Sequence, residues 1–285
     1  MAQIRTKLWV GVGAFILAGS QIDVAKEHDD VVSVSLSKVW AADAKGHATH
    51  KSEGGEGGEG GEGGEGGESG KKRMSATERK IDFLKNLTLV EGHLTAGKEL
   101  YQGGDKEAAK THMKHPGDEL YAKLASGFKE FNAPRFDASL KRMALAVEQD
   151  KSTEEVNKAY EAVVADIERA RGKARPTFKE RLLVVSKVTR DAGNEFAEGV
   201  KDVKIINAHE YQDAYGYLKA AARLADTAKP ANAAQKDAVA NVNQSLKKIT
   251  NTWSDLSGKE VAKTNASEIY STASQVELAA SSLKP

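Results

Sequence analysis

The chain has 285 residues, 40% of them hydrophobic and 6% aromatic, with 42 Lys and Arg against 41 Asp and Glu for a formal charge of +1. That length allows one or two domains with a real core, and the scarcity of aromatics points to a core of Ala, Leu and Val between helices. The charge balance offers no global field for nucleic acid or a membrane, and the absence of cysteine excludes disulfides, thiolate metal sites, haem attachment through Cys-x-x-Cys-His and lipidated cysteine.

Residues 1–20 read as an export signal. Arg5 and Lys7 precede the apolar run Leu8 to Ala18, which is short for a membrane span, and Ala18-Gly19-Ser20 offers small residues at a cleavage point. An alternative cleavage point follows Ala42-Asp43-Ala44, and a retained N-terminal anchor is the competing reading. Export puts the protein in the periplasm or makes it secreted. Residues 45–70 form a Gly/Glu-rich linker: Glu53, Glu56, Glu59, Glu62, Glu65 and Glu68 recur every three positions between Gly pairs. Such a segment has nothing to bury and is extended by self-repulsion. Residues 71–285 make up the helical domain, divisible into packed halves 71–172 and 173–285.

The helical signals begin with the capping box Ser75-Ala76-Thr77-Glu78. Phe83, Leu87, Val90, Leu94, Gly97 and Tyr101 follow at steps of three and four. Gly92 and Gly97 weaken that helix, and the expected return is close approach of a neighbouring backbone. Gly103-Gly104 turns the chain, Asp105 caps a short second helix that carries His112 and His115 on one face, and Pro116 ends or kinks it. Leu120, Leu124, Phe128 and Phe131 continue an apolar face to the break at Asn132-Ala133-Pro134.

Further helices are expected from about Phe136 to Glu148, from the box Ser152–Glu155 to Gly172, and from Thr177 through Phe178, Leu182, Val185, Val188, Ala192 and Phe196. Beyond Gly199 the face reads Ile206, Glu210, Asp213 or Ala214, Tyr217, Ala221 and Leu224 until Pro230. A helix from about Asn232 to Leu256 includes Trp253, and a last one opens at Asn265-Ala266-Ser267-Glu268. The fold class is all-α: an array of antiparallel amphipathic helical hairpins, six to eight helices, with room for a four-helix-bundle core.

Four elements interrupt apolar stripes with ligand-capable groups: Glu91, His112-x-x-His115, Glu195 and Glu210-x-x-Asp213. Side chains three apart leave one helical face and can converge on one ion. The order, a lone carboxylate followed by an i,i+3 pair and repeated once, resembles the spacing of ferritin-like dinuclear carboxylate sites. It departs from that pattern in having His-x-x-His and Glu-x-x-Asp where two Glu-x-x-His pairs are usual, and in the long insertion from Pro116 to Arg175. The metal reading therefore names Glu91, His112, His115, Glu195, Glu210 and Asp213, with His93 and His209 entering if the helices are rotated. These donors suit a divalent or trivalent transition metal such as iron, zinc, manganese or copper(II), and include nothing soft for copper(I).

Catalysis has little support. No Gly-rich phosphate loop follows a strand, no nucleophile elbow is present, and His209-Glu210 begins a zincin motif that Asp213 leaves without its second histidine. Nucleic acid is not an expected partner. An envelope protein partner is expected, with weak membrane-surface contact through the N-terminal region. Two readings result: a non-catalytic helical-bundle protein of the periplasm that binds a metal ion or metal cofactor, or a helical scaffold or interaction module of the envelope without one. Convergence of the candidate ligands decides between them.

Overall fold

A computed structural model describes residues 74–283. The expected signal at 1–20, the cleavage point after 44 and the linker at 45–70 lie outside the described residues. Those described form nine α-helices: α1 (Ala76–Gln102), α2 (Lys106–His115), α3 (Ala125–Glu130), α4 (Asp137–Glu148), α5 (Thr153–Lys173), α6 (Phe178–Gly199), α7 (Ala208–Asp226), α8 (Ala233–Thr250) and α9 (Ala266–Ser282). The protein is all-α, and the six-residue α3 helps carry the count past eight.

Side-chain caps set most of the boundaries. Ser75, Ser152 and Thr177 each close a full capping box with a Glu three residues on, which satisfies backbone donors that have no partner in the first turn. Asp105, Asn207, Asn232 and Asn265 cap α2, α7, α8 and α9 with their side-chain oxygens. Pro116 ends α2, and the chain continues through one π-helical turn at Pro116–Leu120.

Two segments depart from the sequence expectation. Residues 200–205 form a hairpin of two-residue strands, Val200 opposite Ile205 and Lys201 opposite Lys204, and Ile206, read from spacing as the first residue of a helix face, is exposed ahead of the helix. α8 stops at Thr250, short of Leu256, yet Trp253 and Leu256 stay buried because the loop folds back over α7. Trp253 stacks on Tyr211 with ring centroids 5.6 Å apart, and the Tyr211 hydroxyl accepts from the Ala262 backbone N–H at 3.0 Å. Apolar spacing that continues past a helix end is thus met by a loop that buries the same residues.

α6, α7, α8 and α9 pack in a closed ring, each on the next and α9 on α6. α1 lies against both α6 and α7 and is flanked by α2 and α5, while α4 packs on α5 and α2. Every residue from Asn86 to Gly97 is buried. α1 crosses α7 backbone to backbone: a Cβ on Gly216 would collide with the Gly92 carbonyl, and one on Gly92 would lie 2.5 Å from the Tyr217 ring. Gly97 provides the same closeness toward α2, where an added Cβ would lie 3.1 Å from the His112 Cβ.

Just before the crossing, Glu91 is buried in an ion-pair network. Arg171 Nη2 lies 3.1 Å from Glu91 Oε2, Arg223 Nε donates to the other carboxylate oxygen, and Arg223 Nη2 reaches Glu168 at 3.0 Å. Thr88 adds an acceptor for Arg171 at 3.2 Å. The network ties α1, α5 and α7 together. Replacing Glu91 by Ala strands buried guanidinium charge, so Glu91→Ala is expected to lower unfolding free energy by about 3–5 kcal/mol, read from urea denaturation.

Candidate metal centre

On the other side of the α1–α7 crossing, α7 turns His209, Asp213 and Tyr217 toward α1 and α2, since residues four apart stack on one helical face. α1 contributes His93, one residue past Gly92, and α2 contributes His112. Asp213 lies between them. Its Oδ1 is 2.6 Å from His93 Nδ1 and 3.0 Å from His112 Nδ1, and its Oδ2 is 3.3 Å from His209 Nδ1. His93 and His112 are 5% and 0% exposed and Asp213 is 2% exposed. His209 and Glu210 are half-buried, with His209 Nδ1 3.9 Å from Glu210 Oε2.

The far nitrogens of the two inner histidines are held by neighbours. The Tyr217 hydroxyl meets His93 Nε2 at 2.8 Å. His112 Nε2 meets Gln212 Oε1 at 2.9 Å, while Gln212 Nε2 donates to the Leu256 carbonyl at 2.9 Å. Because that amide nitrogen is committed to a carbonyl, the amide oxygen faces the imidazole, and His112 Nε2 is the donor. In the neutral ring Nδ1 then carries the lone pair. It points into the space beside Asp213 Oδ1, and neither atom completes a hydrogen bond. Two buried lone pairs about 3 Å apart repel each other unless positive charge lies between them, and orienting partners on the far nitrogens are characteristic of metal-ligating histidines.

Burial alone would raise the Asp213 carboxyl, but positive charge and hydrogen bonds from the His93 and His112 imidazoles outweigh it and hold the group well below the usual carboxylate range, the case in which a proton on His112 Nδ1 lies between the two atoms. Burial drives the Tyr217 phenol well above its ordinary value, so it stays neutral. Toward solvent the cluster continues through carboxylates. Burial, then a hydrogen bond and charge repulsion from Glu210, push Glu195 up to about 9. Glu210 is held down first by His209, against its own burial, and by the proton on Glu195. Glu198, exposed, completes the outer end.

Three overlapping groups of donors therefore lie in series: His93, His112 and Asp213; His209, Glu210 and Asp213; and Glu195, Glu198 and Glu210. Within each group the donor atoms are within 4.8 Å of one another. Of the residues picked from sequence, His112, Glu195, Glu210 and Asp213 fall in this series. Glu91 does not, being engaged with Arg171 and Arg223. The side chain of His115 lies outside the described residues. His93 and His209, the rotated alternatives, belong to the series, and Gln212 and Tyr217, not picked from sequence as site residues, orient its inner histidines. The spacing of α1 hid His93, because a stripe rule presumes one buried face and this helix is buried all round.

Residues 171–284 match a family described as an iron permease-associated 4-helix bundle domain. The match begins in the last turn of α5 and takes in α6 through α9, the ring of four helices. It contains Glu195, Glu198, His209, Glu210 and Asp213, whereas His93 and His112 come from the preceding part of the chain. No curated protein and no solved structure matches the chain.

The two shifted carboxyls act on stability in opposite directions. The Glu195 contribution is complete below the ordinary value of 4.5 and is lost as pH rises toward about 9. The Asp213 contribution is present above its ordinary 3.8 and is lost as pH falls below it. In metal-free protein the urea midpoint is expected to fall between about pH 6 and about pH 9, and Glu195→Gln, fixed in the neutral form, should flatten that fall.

Proposed function

We propose that this helical-bundle protein binds a transition-metal cation, iron in the first instance, at the buried centre formed by His93, His112 and Asp213. The observation that carries this reading is the pair of hydrogen-bond-deficient buried atoms, His112 Nδ1 and Asp213 Oδ1, 3.0 Å apart. Donors bound to one ion at about 2.0–2.2 Å and at right angles lie roughly 3 Å from each other, so a cation beside both atoms turns their repulsion into attraction with little movement. Two imidazole nitrogens and a carboxylate oxygen suit iron(II), zinc, manganese or copper(II). The likeness of residues 171–284 to an iron permease-associated domain puts iron ahead of the other three.

In this reading the ion is cargo or a retained structural ion and the protein is not an enzyme, since the inner donors are sealed beneath α1 and α2. The working location is the periplasm or the outside of the cell, and the partner is an envelope protein, an iron permease being the first candidate. The competing reading, a helical interaction module without metal, draws on the exposed Val203 and Ile206 at and beside the hairpin, 81% and 61% accessible.

Anaerobic titration of the tag-free chain with iron(II), followed by elemental analysis, separates the two. Wild-type protein is expected to retain at least one ion per chain, and His112→Ala and Asp213→Asn to lose it. Gln212→Ala, which removes only the orienting partner, should weaken affinity about 10–100-fold. Equal and substoichiometric iron in wild type and His112→Ala would dispose of the metal reading.

A further inference from the structure

We propose that the centre holds two cations, the second in an outer position formed by Asp213 Oδ2, His209 and Glu210 with Glu195 in reach, so that Asp213 bridges the pair. The inference rests on the inner site proposed above and extends it to a second ion with different ligands and different access.

The two oxygens of Asp213 have divided surroundings. Oδ1 faces the Nδ1 atoms of His93 and His112, whereas Oδ2 faces His209 Nδ1 at 3.3 Å. His209 Nδ1 is also 3.9 Å from Glu210 Oε2. Donors that each bind one ion at about 2.0–2.2 Å cannot be more than about 4.4 Å apart, and both separations fall inside that limit. An ion therefore fits between His209 and each of these carboxylates, and the three donors together lie within 4.8 Å of one another.

The imidazoles of His112 and His209 support a paired arrangement. Their rings are stacked, with centroids 4.3 Å apart and planes inclined by 4°. Each presents its Nδ1 to a different oxygen of the same carboxylate. Parallel rings offset by that distance aim their Nδ1 atoms at two neighbouring points, and ions in two-metal sites lie about 3.5–4 Å apart. A carboxylate joining two such points through its separate oxygens has the matching span.

The two positions differ in chemistry and exposure. The inner one has two nitrogens and one oxygen, all buried. The outer one has a single nitrogen among carboxylate oxygens and lies next to the exposed Glu198. Oxygen-rich donors favour harder cations, and the exposure gradient makes the outer ion the one that exchanges with solvent while the inner one is retained. All the outer donors lie within residues 171–284, and both inner histidines come from α1 and α2. The bundle thus supplies the exchangeable position, and the preceding helices add the retained one.

Manganese(II) alone, added to the full chain, tests this by combined elemental analysis and electron paramagnetic resonance. Two ions in a bridged centre give a spin-coupled spectrum, whereas separate ions give the six-line signal of isolated manganese, including any held by the Gly/Glu-rich segment 45–70. Wild type is expected to show the coupled signal. The double variant His209→Ala with Glu210→Gln should replace it with a single isolated ion at the inner site, which His112→Ala in turn removes. One bound ion in wild type, unaffected by the double variant and lost with His112→Ala, overturns the outer position and leaves the inner reading standing. Two uncoupled ions overturn the bridge, and no ordered ion at all overturns both readings. The wild-type spectrum decides the matter even if a variant fails to fold, and circular dichroism reports that failure.

Discussion

The backbone contact of α1 with α7 at Gly92 and Gly216 is the constraint on which the rest of the molecule depends. Helix axes usually stand about 8–10 Å apart, at a distance set by the side chains between them. Here no side chain intervenes, and the residues on either side are brought onto α7 with little freedom. Glu91 and His93 leave α1 about 200° apart, so one crossing sends a carboxylate to Arg171 and Arg223 and an imidazole to Asp213. A buried ion-pair network and a buried histidine–carboxylate cluster are thus two sides of the same contact.

That division explains how α1 can carry so much polarity in its interior. An isolated buried charge costs several kcal/mol, and each charge here has been given partners from a different helix. Glu91 is neutralised by two guanidinium groups, while Asp213 is surrounded by three imidazoles. The network around Glu91 pairs two carboxylates with two guanidinium groups, with only Arg171 Nε left without an acceptor. The cluster around Asp213 is not so matched, since it brings a lone pair against a carboxylate oxygen and one carboxyl against another. A fold that satisfies one polar cluster and leaves a neighbouring one electrostatically incomplete is giving up stability there, and such departures concentrate where a protein binds something.

Much of the fold was legible because it depends on local rules. The boxes at Ser75 and Ser152 and the caps at Asp105 and Asn265 are short-range chemistry, and each opens a helix where expected. Gly92 and Gly97 gave away the close contacts because their cost inside a helix needs a tertiary return. The hairpin at 200–205 was hidden because Val203 stands where a tight turn favours Gly or Asn: Asp202 and Val203 both adopt positive φ, 50° and 56°, a conformation that a β-branched residue seldom takes. The C-terminal limit of α8 was missed because Trp253 and Leu256 keep the helical period while they pack from a loop. Within the site, His112, Glu195, Glu210 and Asp213 stood out as breaks in apolar stripes. His93 did not, because no apolar face can be separated from a polar one on a helix enclosed by others, and Gln212 acts only through another residue.

The division of the cluster between two stretches of chain has a consequence for how the molecule is held together. His93 and His112 come from α1 and α2, and Asp213 comes from the ring of helices behind them, so a cation at the inner position is bonded to both at once. Anything that binds the folded state alone adds RT ln(1 + [L]/Kd) to its stability, about 2.7 kcal/mol at a hundredfold excess over Kd. In this geometry that increment acts on the separation of α1 and α2 from α7, because moving them apart breaks the coordination while the ring of α6 to α9 stays closed. On the proposed reading the glycine crossing and a bound ion reinforce each other: the crossing brings the donors to within about 3 Å, and an ion there would offset the repulsion that such close donors create. Access follows from the same arrangement. The outer carboxylates belong wholly to the ring and reach solvent at Glu198, so on the proposed reading an ion would enter or leave there while α1 and α2 remain docked over the inner one.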